Sequence, residues 1–337
     1  MSVLHLRRAD GILTVQDMGR PGHLAKGLSR GGAMDRLALI EAAALLGADQ
    51  PLAAIEMAGA GGVFETAQPM RIALTGAPMI ATLDDAPLQW HASHLILPGQ
   101  SLRIGGVQAG SYGYLTPAGG MATEEWLGSR SAHLSIGILA PLSACNLPVG
   151  DDPDPDRPPQ LIEPVRRFNG GTIRVIDGPQ TGLFGDNILA AFFETTFTRS
   201  DRGNRQGVRF DAARNFTADL AAGLASDLIG PGDLQMTGDG VPFVLMAECQ
   251  TIGGYPRIGT VIPADLPIAA QAAPGAKLRF QRLPLDEADR LWQTETRQIQ
   301  TAAAACRPLV RDPALMPDLL AYQLIGGVTA GRELEDQ

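Results

Sequence analysis

Short apolar runs broken by Gly, Pro and Asp recur along the chain, and the pattern is that of strands and turns more than of helices. Val3 and His5, then Ile12, Thr14 and Gln16, fall into two segments separated by Ala9-Asp10-Gly11, which predicts a strand, a tight turn and a second strand. Strand character continues over 53–65, 70–74, 95–104 and 112–116, with Asp84-Asp85 marking a turn, and resumes at 171–176 and 278–280. A glycine-rich loop over 16–35 leads into 36–46, whose Ala and Leu content predicts a helix with Asp35 at the N-cap. Residues 182–190 predict a turn and short helix, and 200–210, reading SDRGNRQGVRF, a polar arginine-glycine loop.

The segment 244–267, VLMAECQTIGGYPRIGTVIPADLP, is the focus. Residues 244–246 and 258–262 read as buried strands around a Gly253-Gly254-Tyr255-Pro256 turn. Within it Glu248, Gln250 and Asp265 need partners or a ligand if they face an interior, or else the segment is a hairpin with those residues in solvent. Glu56 poses the same choice, between the exposed face of an edge strand and a cleft.

Organisation follows from three observations. Residues 151–159, DDPDPDRPP, can form neither ladder nor helix, which places a boundary between 1–155 and 160–283. The two parts echo each other: SRGGAMD from Ser29 matches SDRGNRQG from Ser200, and ILPGQSLRI from Ile96 matches AAPGAKLRF from Ala272. Duplication of a β domain explains this, with chance likeness of glycine-rich loops as the alternative, and two such domains place a cleft at their junction. From Pro284 the pattern turns helical, with Asp286, Glu287 and Asp289 near the helix start, so 284–337 reads as a helical extension.

Composition narrows the chemistry. Net charge is −9 over 337 residues and the arginines are dispersed, so nucleic acid is an unsuitable partner. No apolar run reaches the roughly 18 residues of a membrane span, the start lacks an apolar leader, and Cys145, Cys249 and Cys306 show no paired spacing; a cytoplasmic protein is expected. His5, His23, His91, His94 and His133 are scattered and form no metal motif. The lysines are Lys26 and Lys277, neither followed by Ser or Thr nor flanked by Met. A phosphate loop and a biotinyl hairpin are therefore not expected here, and ATP or biotin would come from another polypeptide.

Several motifs carry a resemblance: Gln16-Asp17 with Gly19-Arg20 and Gly22, Gly32-Ala33-Met34-Asp35, Glu56, Leu74-Thr75-Gly76-Ala77, Gly128-Ser129-Arg130-Ser131, Arg205-x-Gly-x-Arg209, Gln250-Thr251-x-Gly253-Gly254-Tyr255-Pro256 and Ala264-Asp265-Leu266-Pro267. Over about 13–280 the chain resembles the biotin-dependent carboxyltransferase-like family, which includes allophanate hydrolase subunit 2, the C subunit of 5-oxoprolinase and the carboxyltransferase domain of urea carboxylase. Gly31, where serine is usual, Gln206 in place of methionine, and a shortened 136–141 depart from the family pattern.

The resemblance implies a mainly β fold of two cyclophilin-like barrels with few short helices. It also implies a related partner, of the type of allophanate hydrolase subunit 1 or the B subunit of 5-oxoprolinase, that completes the active site on a small amide, lactam or carboxylate. On this basis Arg205 and Arg209 are candidates to hold an anion, Asp35 or Glu56 to accept a proton, and Thr75, Gly76, Gln250, Gly253, Gly254 and Tyr255 to contact substrate. A barrel salt bridge is the alternative for Arg209, and a core position suits Cys249 better than a nucleophile's role. Two other functions remain open at this point: a non-catalytic regulator that antagonises a kinase inhibitor, and prolyl isomerisation, which fold likeness alone does not carry.

Overall fold

The computed structural model describes residues 2–218 and 224–310; residues 311–337 of the expected helical extension, including the apolar 319–327, lie outside them. The architecture is mainly β, with two sheets in the first half and a closed seven-stranded barrel in the second. Ser2–Ala9 pairs with Cys145–Val149 and Gly62–Thr66 in a six-stranded sheet, whereas Ile12–Gln16 pairs with Ala54–Ala58 in a seven-stranded one. The opening strand, turn and strand are thus a corner that hands the chain from one sheet to the other. Gly11 makes the corner possible, because a Cβ there would stand 2.3 Å from the Ala60 carbonyl oxygen. The two sheets close on one core that includes Leu4, Leu13, Phe64, Ile72 and Leu102.

Helix Arg36–Leu46 is apolar nearly all round, RLALIEAAALL, and both flanks are used. Ala42 and Leu45 pack with Ala73 of strand Met70–Gly76, while Ile40 and Ala43 pack with Ile299 of helix Glu295–Ala305. Asp35 caps it, accepting from Ala38 N at 3.2 Å. The helical pattern after Pro284 is realised as Leu285–Leu291 and Glu295–Ala305.

The barrel runs Gly171–Ile176, Arg257–Val261, Asp233–Met236, Pro242–Leu245, Gly207–Asp211, Thr196–Gly203 and Lys277–Arg282, and closes through the parallel pairing of its first and last strands. Phe192 of helix Asp186–Glu194 enters a core with Phe197, Phe210, Phe216 and Phe280, whose contacting rings have centroids 4.9–5.7 Å apart. Such contacts add roughly 0.5–1.5 kcal/mol each beyond area burial.

Three local expectations change. Residues 200–210 are not a loop but most of a hairpin, Thr196–Gly203 with Gly207–Asp211, whose ladder is irregular between Arg199 and Gly203. Residues 53–65 form two strands, Ala54–Ala58 and Gly62–Thr66. Pro242–Leu245 and Arg257–Val261 are not hairpin partners, because Asp233–Met236 lies between them and pairs with both. The PGQSLRI and PGAKLRF echo is structural: Gly99 and Gly275 take φ of +86° and +89°, and feed Leu102–Val107 and Lys277–Arg282.

Candidate functional site

Glu56 sits on an interior strand, so its side chain faces neither solvent nor an open cleft. Its neighbours Ile55 and Met57 enter the first core, which turns Glu56 to the opposite face of the strand beside Tyr114. There Oε2 accepts from Met34 N at 2.8 Å and from Tyr114 Oη at 2.7 Å, and Oε1 accepts from Arg205 Nη1. Arg205 also donates Nε to Glu248 Oε1 and Nη2 to the Gly32 carbonyl at 2.6 Å. One buried guanidinium therefore ties a carboxylate of the first half to one of the second.

Burial works against the charge on Arg205, but Glu56 and Glu248 outweigh it and raise its pKa above the ordinary value. Burial likewise opposes ionised Glu248, and Arg205 together with Ser135 N, 3.0 Å away, holds that carboxyl below its usual range. His133 joins the cluster, with Nε2 2.9 Å from Ser29 Oγ and Nδ1 3.7 Å from Glu248 Oε2. Its pKa is lowered by burial, against the pull of Glu248 and with the help of Arg20 and Arg205.

A second buried cluster centres on Arg167, which donates Nε to Asp35 at 2.7 Å and both Nη atoms to Glu41 at 2.8 and 2.6 Å. Gln271 of helix Leu266–Gln271 reaches Asp35 at 2.8 Å and the Tyr112 carbonyl at 2.8 Å, adding another link between the halves.

These contacts revise the proposed roles. Asp35 and Glu56 are unsuited to taking a substrate proton, because arginine and amide donors already occupy their oxygens. Arg205 is unsuited to clamping a substrate anion, because two carboxylates and a carbonyl fill its fork. Arg209 does not join it: its Nε donates to Asp211 at 2.7 Å in a partly exposed pair, the salt-bridge alternative. Thr75 donates to the Ala38 carbonyl at 2.9 Å and is fully buried, anchoring helix Arg36–Leu46. Gly76 has φ +70°, and a Cβ there would lie 2.6 Å from both Tyr112 O and Tyr114 Cδ2, so it is a packing glycine. Cys249 is in the core, where burial pushes its thiol up to about 12. Asp265 is held by Arg174 at 2.8 and 2.6 Å.

The remaining candidates do converge. Gln250 and Tyr255 line a cavity of about 440 Å³ on the outside of the barrel, together with Arg202, Asn204, Gln206 and Gln235. Ile229, Phe243 and Leu245 contribute its apolar lining. Gly253, on the short strand Ile252–Gly253, permits the arrangement: a Cβ there would stand 2.9 Å from Gln235 Nε2 and 2.8 Å from Ile229 Cδ1. Gly254 is exposed beside it. The cavity falls within the roughly 300–1,000 Å³ typical of small-molecule sites. Four carboxamides offer both donors and acceptors, the complement of an amide or lactam. Among the described residues there is no cluster of His, Cys, Asp and Glu suited to a metal.

The family described as carboxyltransferase domain, subdomain A and B, matches residues 26–282. The chain belongs to this family. It is 33% identical to the C subunit of 5-oxoprolinase from Haemophilus influenzae, over 82% of this chain and 90% of that protein. It is also 33% identical to the C subunit of 5-oxoprolinase from Escherichia coli, over 89% of this chain and 98% of that one. The fold is that of the solved Kluyveromyces lactis urea carboxylase, with a TM-score of 0.81 and 23% identity over 92% of this chain. The chain spans 31% of that solved protein and 56% of another solved relative.

For this carboxyltransferase-family chain, sequence reasoning missed Asn204, Gln206 and Gln235 as cleft residues and Tyr114, Arg167 and Gln271 as organisers of the junction. For the first group the available signal was Gln206, which stands where the family has methionine in the turn between Thr196–Gly203 and Gly207–Asp211. The second group left none, since Arg167 and Asp35 are 132 positions apart.

Proposed function

We propose that the chain is one subunit of an ATP-dependent complex that processes an amide or lactam, with its cleft forming one wall of an active site completed by a related partner resembling the B subunit of 5-oxoprolinase. The observation that carries this reading is 33% identity over 90–98% of two proteins named as the C subunit of 5-oxoprolinase. The cleft supports it chemically. Gln250 and Tyr255 orient the amide by hydrogen bonds, Asn204, Gln206 and Gln235 read its other edge, and Ile229, Phe243 and Leu245 supply apolar contact.

The proton acceptor comes from the partner in this reading. No carboxylate or imidazole lines the cleft among the described residues, and Asp35 and Glu56 are engaged by arginines elsewhere. ATP, and biotin where the reaction uses it, arrive on partner subunits too. Lys26 is exposed at the end of the short 3-10 helix Leu24–Lys26 and Lys277 donates to Thr198 at 2.6 Å, and neither lines the cleft. The isolated chain is then inactive.

The test is reconstitution with the partner subunits, measuring ADP release with 5-oxoproline, urea and related amides. ADP release that depends on an amide and on all subunits supports the reading. Turnover by the isolated chain, or a complex indifferent to every amide, contradicts it.

A further inference from the structure

Arg202 is the one charged side chain lining the cleft among the described residues; the polar remainder is carboxamide, hydroxyl and backbone. It is exposed, on strand Thr196–Gly203, next to the turn that carries Asn204 and Gln206. Its guanidinium makes no hydrogen bond or ion pair among the described residues. The carboxylate it influences, Asp211, already accepts from Arg209 Nε at 2.7 Å. Two arginines near it in the barrel are engaged: Arg205 by Glu56 and Glu248, and Arg257 by Asp233 at 3.2 Å and the Leu228 carbonyl at 2.8 Å. A cation at the edge of a neutral, amide-lined cleft, in a chain of net charge −9, leaves one local preference.

We propose that Arg202 is a specificity-determining residue that binds a carboxylate on the ligand, so that the cleft selects small cyclic amides bearing an acid group over neutral amides. This rests on the functional reading above. The division of labour is chemical: the planar guanidinium takes the carboxylate in a bidentate pair, the carboxamides read the lactam N–H and C=O, and Phe243, Leu245 and Ile229 face the ring methylenes. The contact is independent of the chemical step, so its loss raises KM and leaves kcat nearly unchanged.

The test compares 5-oxoproline with 2-pyrrolidinone, the same ring without its carboxylate. In the reconstituted complex, Arg202→Ala should raise KM for 5-oxoproline at least about tenfold, with Arg202→Lys between it and wild type, and leave 2-pyrrolidinone unchanged. An equal change for both lactams, or none for 5-oxoproline, overturns the proposal. If the complex turns over neither lactam, the functional reading is decided by its turnover of urea and the other amides, and a second measurement decides this one. Titration of the ¹⁵N-labelled full chain with 5-oxoproline should shift the Arg202 Nε–Hε resonance, and 2-pyrrolidinone should not; no shift with 5-oxoproline overturns the assignment of Arg202.

Discussion

At the residue scale, the arginines divide by what already holds them. Arg205 spans two buried carboxylates from opposite halves, so removing it strands both charges in a site that water does not reach. Arg205→Met should lower stability by about 3–5 kcal/mol in urea unfolding, the range for one member of a buried ion cluster. Arg209→Ala removes a partly exposed pair and should cost less than about 1 kcal/mol in the same assay. Equal losses would contradict the division. Glu56 and Glu248 stand out in the sequence as carboxylates inside apolar runs, and that signal was sound. Their shared partner was not legible, because Arg205 is 149 positions from Glu56 and 43 from Glu248. Local pattern marks a buried charge but not what neutralises it.

At the element scale, glycine positions test the packing. Gly76 and Gly99 both adopt positive φ, +70° and +86°, but a Cβ at Gly76 would meet Tyr112 O and Tyr114, and at Gly99 it would meet nothing within 4 Å. Gly99→Ala should cost about 1–2 kcal/mol from backbone conformation alone, and Gly76→Ala clearly more. Matching losses by thermal unfolding would show that strand Met70–Gly76 yields more easily than its contacts imply. Elements with self-contained signals were readable: helix Arg36–Leu46 from its Ala-Leu run and Asp35 cap, strand Gly171–Ile176 from its β-branched residues. The hairpin Thr196–Gly203 with Gly207–Asp211 was obscured because its outward face is polar and its ladder irregular. Pairing of Pro242–Leu245 with Asp233–Met236, and not with Arg257–Val261, is decided by barrel closure, which no local run of residues encodes.

At the scale of the whole molecule, both buried clusters and the Gln271 contacts join the halves, so acid should act on the assembly as a unit. His91 has its pKa pushed down to about 3 by burial and then by Arg167, and His94 and His133 are lowered as well, chiefly by burial. Below the ordinary histidine value of 6.5 the unfolded chain takes up protons that the folded one refuses. Stability therefore rises with pH, and is lost as pH falls from about 6.5 toward the lowered folded values, at about 1.4 kcal/mol per pH unit for each histidine fully in that regime. Glu248 adds a separate loss at more acid pH, where its depressed carboxyl finally protonates. Urea midpoints between pH 7 and 5 should fall steadily, and His91→Asn, which tolerates the positive φ of 58° there, should flatten the slope. A flat profile for the parent chain would contradict the neutral buried histidines.

Function at this scale turns on a separation. In the proposed function the charged junction is scaffold, and the carboxamide-lined cleft beside it meets the substrate. The most direct test is kcat/KM of the reconstituted complex carrying Gln250→Ala, measured alongside its melting temperature. The account requires at least about a tenfold loss of kcat/KM with melting within about 2 °C of the parent, because Gln250 is exposed in the cleft and supports no core contact. Full activity, or activity lost only in step with melting, would contradict it.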